Sequence, residues 1–223
     1  MIVNLTGSGK NMERIVKIRP QEIEAESFRI IAEEFEERTG KNPGSLDPKQ
    51  FAVIRRAIHA TGDFSFAASF RFHDRAIEAG LAAIRSGKNI LTDVNMASAG
   101  ISRSLLAPYG GKIICRVAET AIAELARMKG KTRSETAVEE GIMENVGIVA
   151  IGNAPTALLA VMKLIKEGRA HPDLIIGVPV GFVNAEESKE ILHEQDYPYI
   201  TSLGRKGGTA VSVAIVNALL RLL

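Results

Sequence analysis

From residue 89 to the C-terminus, short uninterrupted apolar runs alternate with longer stretches of helical periodicity, and this rhythm restricts the fold more than any other feature of the chain. The runs are 89–93, 112–117, 146–152, 174–181 and 197–203. Their apolar residues are consecutive and not alternating, the pattern of a strand covered on both faces. The segments 118–129, 132–145, 154–167, 185–194 and 208–223 carry helical spacing. Strands separated by helices need crossover connections, so the sequence predicts an α/β fold. The expected architecture is a single domain with a doubly wound, mainly parallel sheet and helices on both faces.

Ahead of residue 89 the pattern is an N-terminal helical segment. Over 20–40, Phe28, Ile31, Ala32 and Phe35 fall on one stripe and Gly40 stops the helix. After a polar turn at 42–45, Asp47 is placed as an N-cap with Pro48 at the first helical position. That second helix runs through Phe51, Ile54 and Ile58 to Thr61-Gly62-Asp63. A third helix is expected over 73–86. Thr132 with Glu135, and Asn184 with Glu187, have capping-box spacing. Residues 1–12 read as a tail ahead of a domain over 13–223. Gly7-Ser8-Gly9-Lys10 lacks the spacing of a nucleotide phosphate loop.

Composition closes off several function classes. A net charge of +2, no tryptophan and 5% aromatic residues provide little for stacking on nucleic-acid bases, so no nucleic-acid partner is expected. No apolar run is long enough to span a membrane, which excludes a membrane partner and reads as a cytoplasmic protein. Cys115 is the single cysteine, set in an apolar run, and reads as a buried structural thiol. None of the four histidines has metal-ligand spacing with another ligand type, so no metal site is expected. Of these, His171 and His193 read as solvated surface and His73 as a cap or surface residue.

His59 stands apart. Arg55 and Arg56 precede it by four and three positions on the same helix, which ends at once in a turn, leaving the ring able to reach a cleft. Cations nearby disfavour imidazolium until an anionic ligand arrives, and such a histidine is suited to donate and accept a proton. The spacing alone does not settle the role and leans towards a satisfied structural histidine.

Three turns also invite anions: Gly152-Asn153-Ala154-Pro155, Gly177-Val178-Pro179-Val180-Gly181-Phe182 and Gly204-Arg205-Lys206-Gly207-Gly208. In the first, Asn153 is placed as an N-cap with Pro155 near the helix start, which capping chemistry explains as well as ligand binding does. The third sets Arg205 and Lys206 on a flexible turn directly before a helix, where charge and dipole favour a carboxylate or phosphate. No dinucleotide-binding glycine turn follows an early strand, which speaks against NAD.

These blocks, with Ile23-Glu24-Ala25-Glu26-Ser27-Phe28, Arg55-Arg56-Ala57-Ile58-His59-Ala60-Thr61-Gly62-Asp63-Phe64, Asp93-Val94-Asn95-Met96 and Glu187-Ser188-Lys189, give the chain a likeness that runs from about residue 18 onward. It resembles the precorrin-8X methylmutase family, also called cobalt-precorrin-8 methylmutases or precorrin isomerases, of cobalamin biosynthesis. The resemblance implies an isomerase that moves a methyl group between neighbouring ring C carbons of a polycarboxylated macrocycle. It implies a homodimer, no organic cofactor, a corrinoid substrate with or without cobalt, and transient hand-over to neighbouring pathway enzymes. The residue matching the family's proton donor and acceptor is His59, and Ser27 and Arg56 match substrate contacts. The further candidate contacts are Arg55, Thr92, Asp93, Met96, Arg116, Asn153, Pro155, Arg205 and Lys206. Two rival functions use the same residues differently: a non-catalytic corrinoid carrier, and an α/β enzyme acting on a phosphorylated small molecule at residues 204–209.

Overall fold

Eleven α-helices and six strands make up the computed structural model over residues 18–223, the part of the chain it describes. The expected tail over 1–12, with Gly7-Ser8-Gly9-Lys10, lies outside the described residues. Chain order is α1 (Ile23–Thr39), α2 (Pro48–Thr61), α3 (Phe66–Ser69), β1 (Phe70–Phe72), α4 (Ala76–Arg85), β2 (Asn89–Thr92), α5 (Asn95–Gly100) and α6 (Arg103–Leu106). Then follow β3 (Ile113–Ile114), α7 (Thr120–Lys129), α8 (Arg133–Gly141), β4 (Val146–Ile151), α9 (Pro155–Lys166), β5 (Leu174–Gly177), α10 (Ala185–His193), β6 (Tyr199–Ser202) and α11 (Thr209–Arg221).

All six strands form one sheet in the order β1-β6-β5-β4-β2-β3, parallel except for β1, which pairs antiparallel with β6. The consecutive apolar runs are explained by alternate residues entering opposite cores. Ile90, Ile148, Ala150, Leu174, Ile176 and Ile200 pack with α2, α4 and α11. Leu91, Val149, Ile151, Ile175 and Tyr199 pack with α8, α9 and α10. Every residue of β4 is buried, so neither face carries the polar alternation of a solvated sheet.

The structure departs from expectation in several places. β1 and α3 were not anticipated, and the third helix begins at Ala76 and not at residue 73. Three residues are too few to show a period, and β1 is drawn into the sheet by pairing with β6, Phe70 against Ser202 and Phe72 against Ile200. The His73 N–H donates to the Tyr199 carbonyl at 3.0 Å, extending the ladder, and its Nδ1 accepts from Arg75 N–H at 3.1 Å. The short helices α5 and α6 follow β2 where no periodic pattern marked them. Thr132 caps α8 by accepting from the Glu135 N–H at 3.1 Å. Asn184 does not cap α10: its backbone is left-handed, φ 59°, and not extended as a capping residue must be, and its side chain makes no capping bond. Cys115 is half-buried and not buried, because it follows the two-residue edge strand β3 where the sheet ends.

Two features of this frame position the site. Because β3 and β4 lie on opposite sides of β2, the chain reverses its direction of winding between β2 and β4, the place where doubly wound folds open a crevice at the strands' C-terminal ends. Second, α11 is covered by the sheet on one side and by α2 on the other, which is why it is apolar nearly all round.

Candidate active site

The three turns singled out in the sequence converge. A Cβ added at Gly152 would lie 2.8 Å from the Thr209 Cα, so the turn after β4 presses on the start of α11. The Gly208 N–H donates to the Val178 carbonyl at 2.8 Å, and the Gly181 N–H to the Arg205 carbonyl at 3.3 Å. Gly207 has room for no side chain, since a Cβ would sit 2.3 Å from the Val178 oxygen. Beneath them Lys189, fully buried on α10, donates from Nζ to the Lys206 carbonyl at 2.8 Å.

At the β2/β4 reversal a side chain of the protein itself meets the turn after β4. Asp93, buried just past the end of β2, accepts from the backbone N–H groups of Gly152 at 3.1 Å, Asn153 at 2.9 Å and Ala154 at 2.7 Å. Burial pushes its carboxyl group up from the ordinary aspartate range, and these three donors pull it back. The turn leading into α9 is therefore held by a side chain from just past β2, while Asn153 is exposed and makes no capping bond. These three N–H groups of the first turn are thus taken up by Asp93. Thr92 is likewise buried, with its hydroxyl directed to the Val94 and Ile114 carbonyls. Arg116 is held by Glu119 at 2.9 Å and lies 3.7 Å from Glu144. Pro155 is the first residue of α9, and Met96, on α5, is exposed.

His59 lies elsewhere on this edge. It is exposed in the last turn of α2, which Gly62 ends with a left-handed cap, φ 67°. The ring packs edge-on against Phe28 of α1, centroids 5.3 Å apart. With Arg56 and Ala60 it forms one wall of a cavity of about 240 Å³, whose other wall is Ala210, Val213, Ala214 and Asn217 of α11. Among the described residues no side chain caps the start of α11, whose first turn contributes Ala210 to the cavity wall. Asn217 is pinned in place: Oδ1 accepts from Ser102 N–H at 2.8 Å and Nδ2 donates to the Gly100 carbonyl at 3.0 Å.

Arg56 is half-buried and donates from Nη1 to Glu24 at 3.1 Å, with its guanidinium 5.0 Å from the Phe28 centroid. That hydrogen bond holds the Glu24 carboxyl below its ordinary range. The neighbouring Arg55 lies 4.4 Å from the Phe28 ring centroid, and burial pulls its pKa down. Ser27 directs its hydroxyl to the Ile23 carbonyl at 2.8 Å, one position from Phe28. Arg205 and Lys206 both have acidic neighbours. The Lys206 Nζ bonds Asp63 at 2.6 Å and Ser65 at 3.0 Å, strapping the third turn to the segment just after His59. Arg205 lies 3.6 Å from Glu186 and 5.4 Å from the Phe182 ring centroid.

The structure thus brings His59, Arg56 and the start of α11 together, and places Thr92, Asp93, Arg116, Asn153 and Pro155 in the framework around the β2/β4 ends. Sequence reasoning missed Glu24, Asn217 and the exposed apolar rim of Val180, Phe182 and Val183. The rim had a signal: three apolar residues in a turn where polar ones are usual. Among the described residues, no three His, Cys, Asp or Glu side chains gather as a metal site. Among them, too, no helix is long and apolar enough to cross a membrane.

Comparison with known proteins gives one consistent result. A family profile described as CbiC, precorrin-8X methylmutase, matches residues 22–222. The cobalt-precorrin-8 methylmutase of Priestia megaterium is 43% identical over 203 residues, 91% of this chain and 88% of that protein. The precorrin-8X methylmutase of Pseudomonas aeruginosa is 42% identical over 176 residues, 78% of this chain and 83% of that one. The crystal structure of the precorrin-8X methyl mutase of Thermus thermophilus superposes with a TM-score of 0.79 at 41% identity, covering 90% of this chain and 96% of that one.

Proposed function

The chain belongs to the precorrin-8X methylmutase family, and from that premise we propose that it moves a methyl group between adjacent ring C carbons of precorrin-8X or its cobalt counterpart, with His59 as proton donor and acceptor. The observation that carries this reading is the pairing of His59 with Arg56 on one cavity wall, facing Ala210, Val213, Ala214 and Asn217 of α11. A cavity of about 240 Å³ is smaller than the usual range for small-molecule sites, so the macrocycle lies across the α2/α11 groove and only part of it enters.

Protonation by His59 at or near the ring C nitrogen draws electron density from the migrating centre and lowers the barrier. After the shift the same imidazole takes the proton back, so atoms and charge balance within one substrate. General acid–base assistance of this kind contributes roughly 10²-fold to 10⁴-fold. Arg56 holds a peripheral carboxylate and sets the ring relative to His59. Val180, Phe182 and Val183, exposed next to the third turn, suit the apolar face of a ring. No organic cofactor is part of this proposal, and cobalt, where present, travels with the substrate. The homodimer, the cytoplasmic location and hand-over to neighbouring enzymes belong to the same proposal.

The test is His59→Ala, with conversion followed by the visible spectrum of the tetrapyrrole. Turnover is expected to fall roughly 10²-fold to 10⁴-fold while product affinity changes little. Undiminished turnover in the variant overturns the role of His59 and favours a carrier or a different proton donor.

A further inference from the structure

Beyond Arg56 the groove opens into a second cavity, of about 260 Å³, walled by Glu24, Phe28, Arg55, Arg56, Arg221 and Leu222 among others. Arg56 lines both cavities and separates this one from His59. Its charges do not balance. Three guanidinium groups share one carboxylate, since Glu24 accepts from Arg56 at 3.1 Å and lies 3.7 Å from Arg221. Arg55 has no acidic partner among the described residues; its Nε is buried without an acceptor, and its guanidinium is sandwiched 4.4 Å from the Phe28 centroid and 5.6 Å from that of Phe51.

Other arginines and lysines are fully balanced: Arg29 faces both Glu26 and Glu33, Arg116 faces Glu119 and Glu144, and Lys131 faces Glu135 and Glu139. A cavity walled by three guanidinium groups and one carboxylate carries excess positive charge, which favours an anion there. Arg221 lies in the last turn of α11. The planar forks of three arginines suit a carboxylate better than a compact cation would. The cavity is too small for a macrocycle and large enough for one of its short arms.

We propose that the Arg55–Arg56–Arg221 cavity is a second carboxylate-binding subsite and, resting on the methylmutase reading, that it holds one side-arm carboxylate of the macrocycle while His59 addresses the ring. Arg221 then determines substrate affinity and orientation without touching the reacting atoms.

The experiment compares full-length wild type with Arg221→Ala and Arg221→Lys by KM, kcat and optical titration of product, and measures Tm with and without saturating glutarate or inorganic phosphate. Arg221 is half-exposed at the helix end, and the lysine variant guards against a misfolded alanine variant. In Arg221→Ala, KM and product Kd are expected to rise about 10-fold with kcat within about twofold, and the lysine variant to recover part of the loss. Glutarate is expected to raise the wild-type Tm by a few degrees and not that of Arg221→Ala. Unchanged KM and Kd, or a fall in kcat alone, overturns the subsite and leaves Arg221 as a prop for Glu24. An Arg221-dependent shift with phosphate but not glutarate overturns the carboxylate assignment. If wild type neither binds nor converts a tetrapyrrole, the methylmutase reading fails separately, and the glutarate measurement alone decides the subsite: an Arg221-dependent shift sustains it and no shift overturns it.

Discussion

Lys189→Met should stabilise this protein at neutral pH and lose that advantage at high pH. The Lys189 side chain is fully buried, and its Nζ donates to one acceptor, the Lys206 carbonyl, which also accepts from the Ser202 hydroxyl at 3.1 Å. Desolvation of the ammonium pushes its pKa down to about 8, with the negative field of Glu186 opposing weakly. In the unfolded chain a lysine titrates near 10.4. Between those values the unfolded state holds more protons than the folded one, so this residue makes stability rise with pH. Keeping the group charged at pH 7 costs roughly 3 kcal/mol, and the residual cost at pH 10 is under about 1 kcal/mol. Methionine has similar volume and no charge, and its introduction forfeits one hydrogen bond of about 1 kcal/mol. The variant should therefore exceed wild type by about 2 kcal/mol at pH 7 and be about level with it at pH 10. Urea unfolding of both proteins at the two pH values measures this, and comparing the pair cancels every other titrating group. A variant-minus-wild-type difference that is the same at both pH values refutes the reasoning, because it would mean that the buried ammonium carries no desolvation cost.

Two further substitutions probe the framework. Asp93→Ala strips the acceptor from three backbone N–H groups at a buried position and should cost about 3–5 kcal/mol in urea unfolding, with Asp93→Asn between it and wild type; a loss under about 1 kcal/mol would mean water replaces the carboxylate. Gly207→Ala drives a Cβ to 2.3 Å from the Val178 carbonyl oxygen and should cost more than about 2 kcal/mol. In contrast, Gly204→Ala meets no atom within 4 Å and bears only the left-handed backbone penalty at φ 78°, about 1 kcal/mol. Equal Tm losses for the two glycine variants would contradict this account.

Much of the fold was legible because its signals are local. Consecutive apolar residues in 146–151 and 174–177 mark strands buried on both faces, and Asp47-Pro48 marks the start of α2 within a few residues of chain. β1 was not legible, because a Phe-Arg-Phe segment becomes a strand only once β6 lies beside it. The failure at Asn184 is similar: the capping-box spacing is present, yet the turn leading into α10 sets that residue left-handed.

For the site, the sequence singled out His59, Arg56 and the three turns by residue type, and chemical identity is a property of the sequence alone. Which of those charges remain available was decided only by the tertiary structure. Asp93 fills the turn at Gly152 from 59 residues away, and Asp63 takes Lys206 from 143 residues away. Arg221, at the far end of the chain, joins Arg55 and Arg56 around one cavity with a single carboxylate between them. Electrostatic pairing depends on distance through space and on burial, neither of which is written in sequence spacing. The same residue type is therefore a framework contact at Arg116 and an unbalanced cation at Arg55.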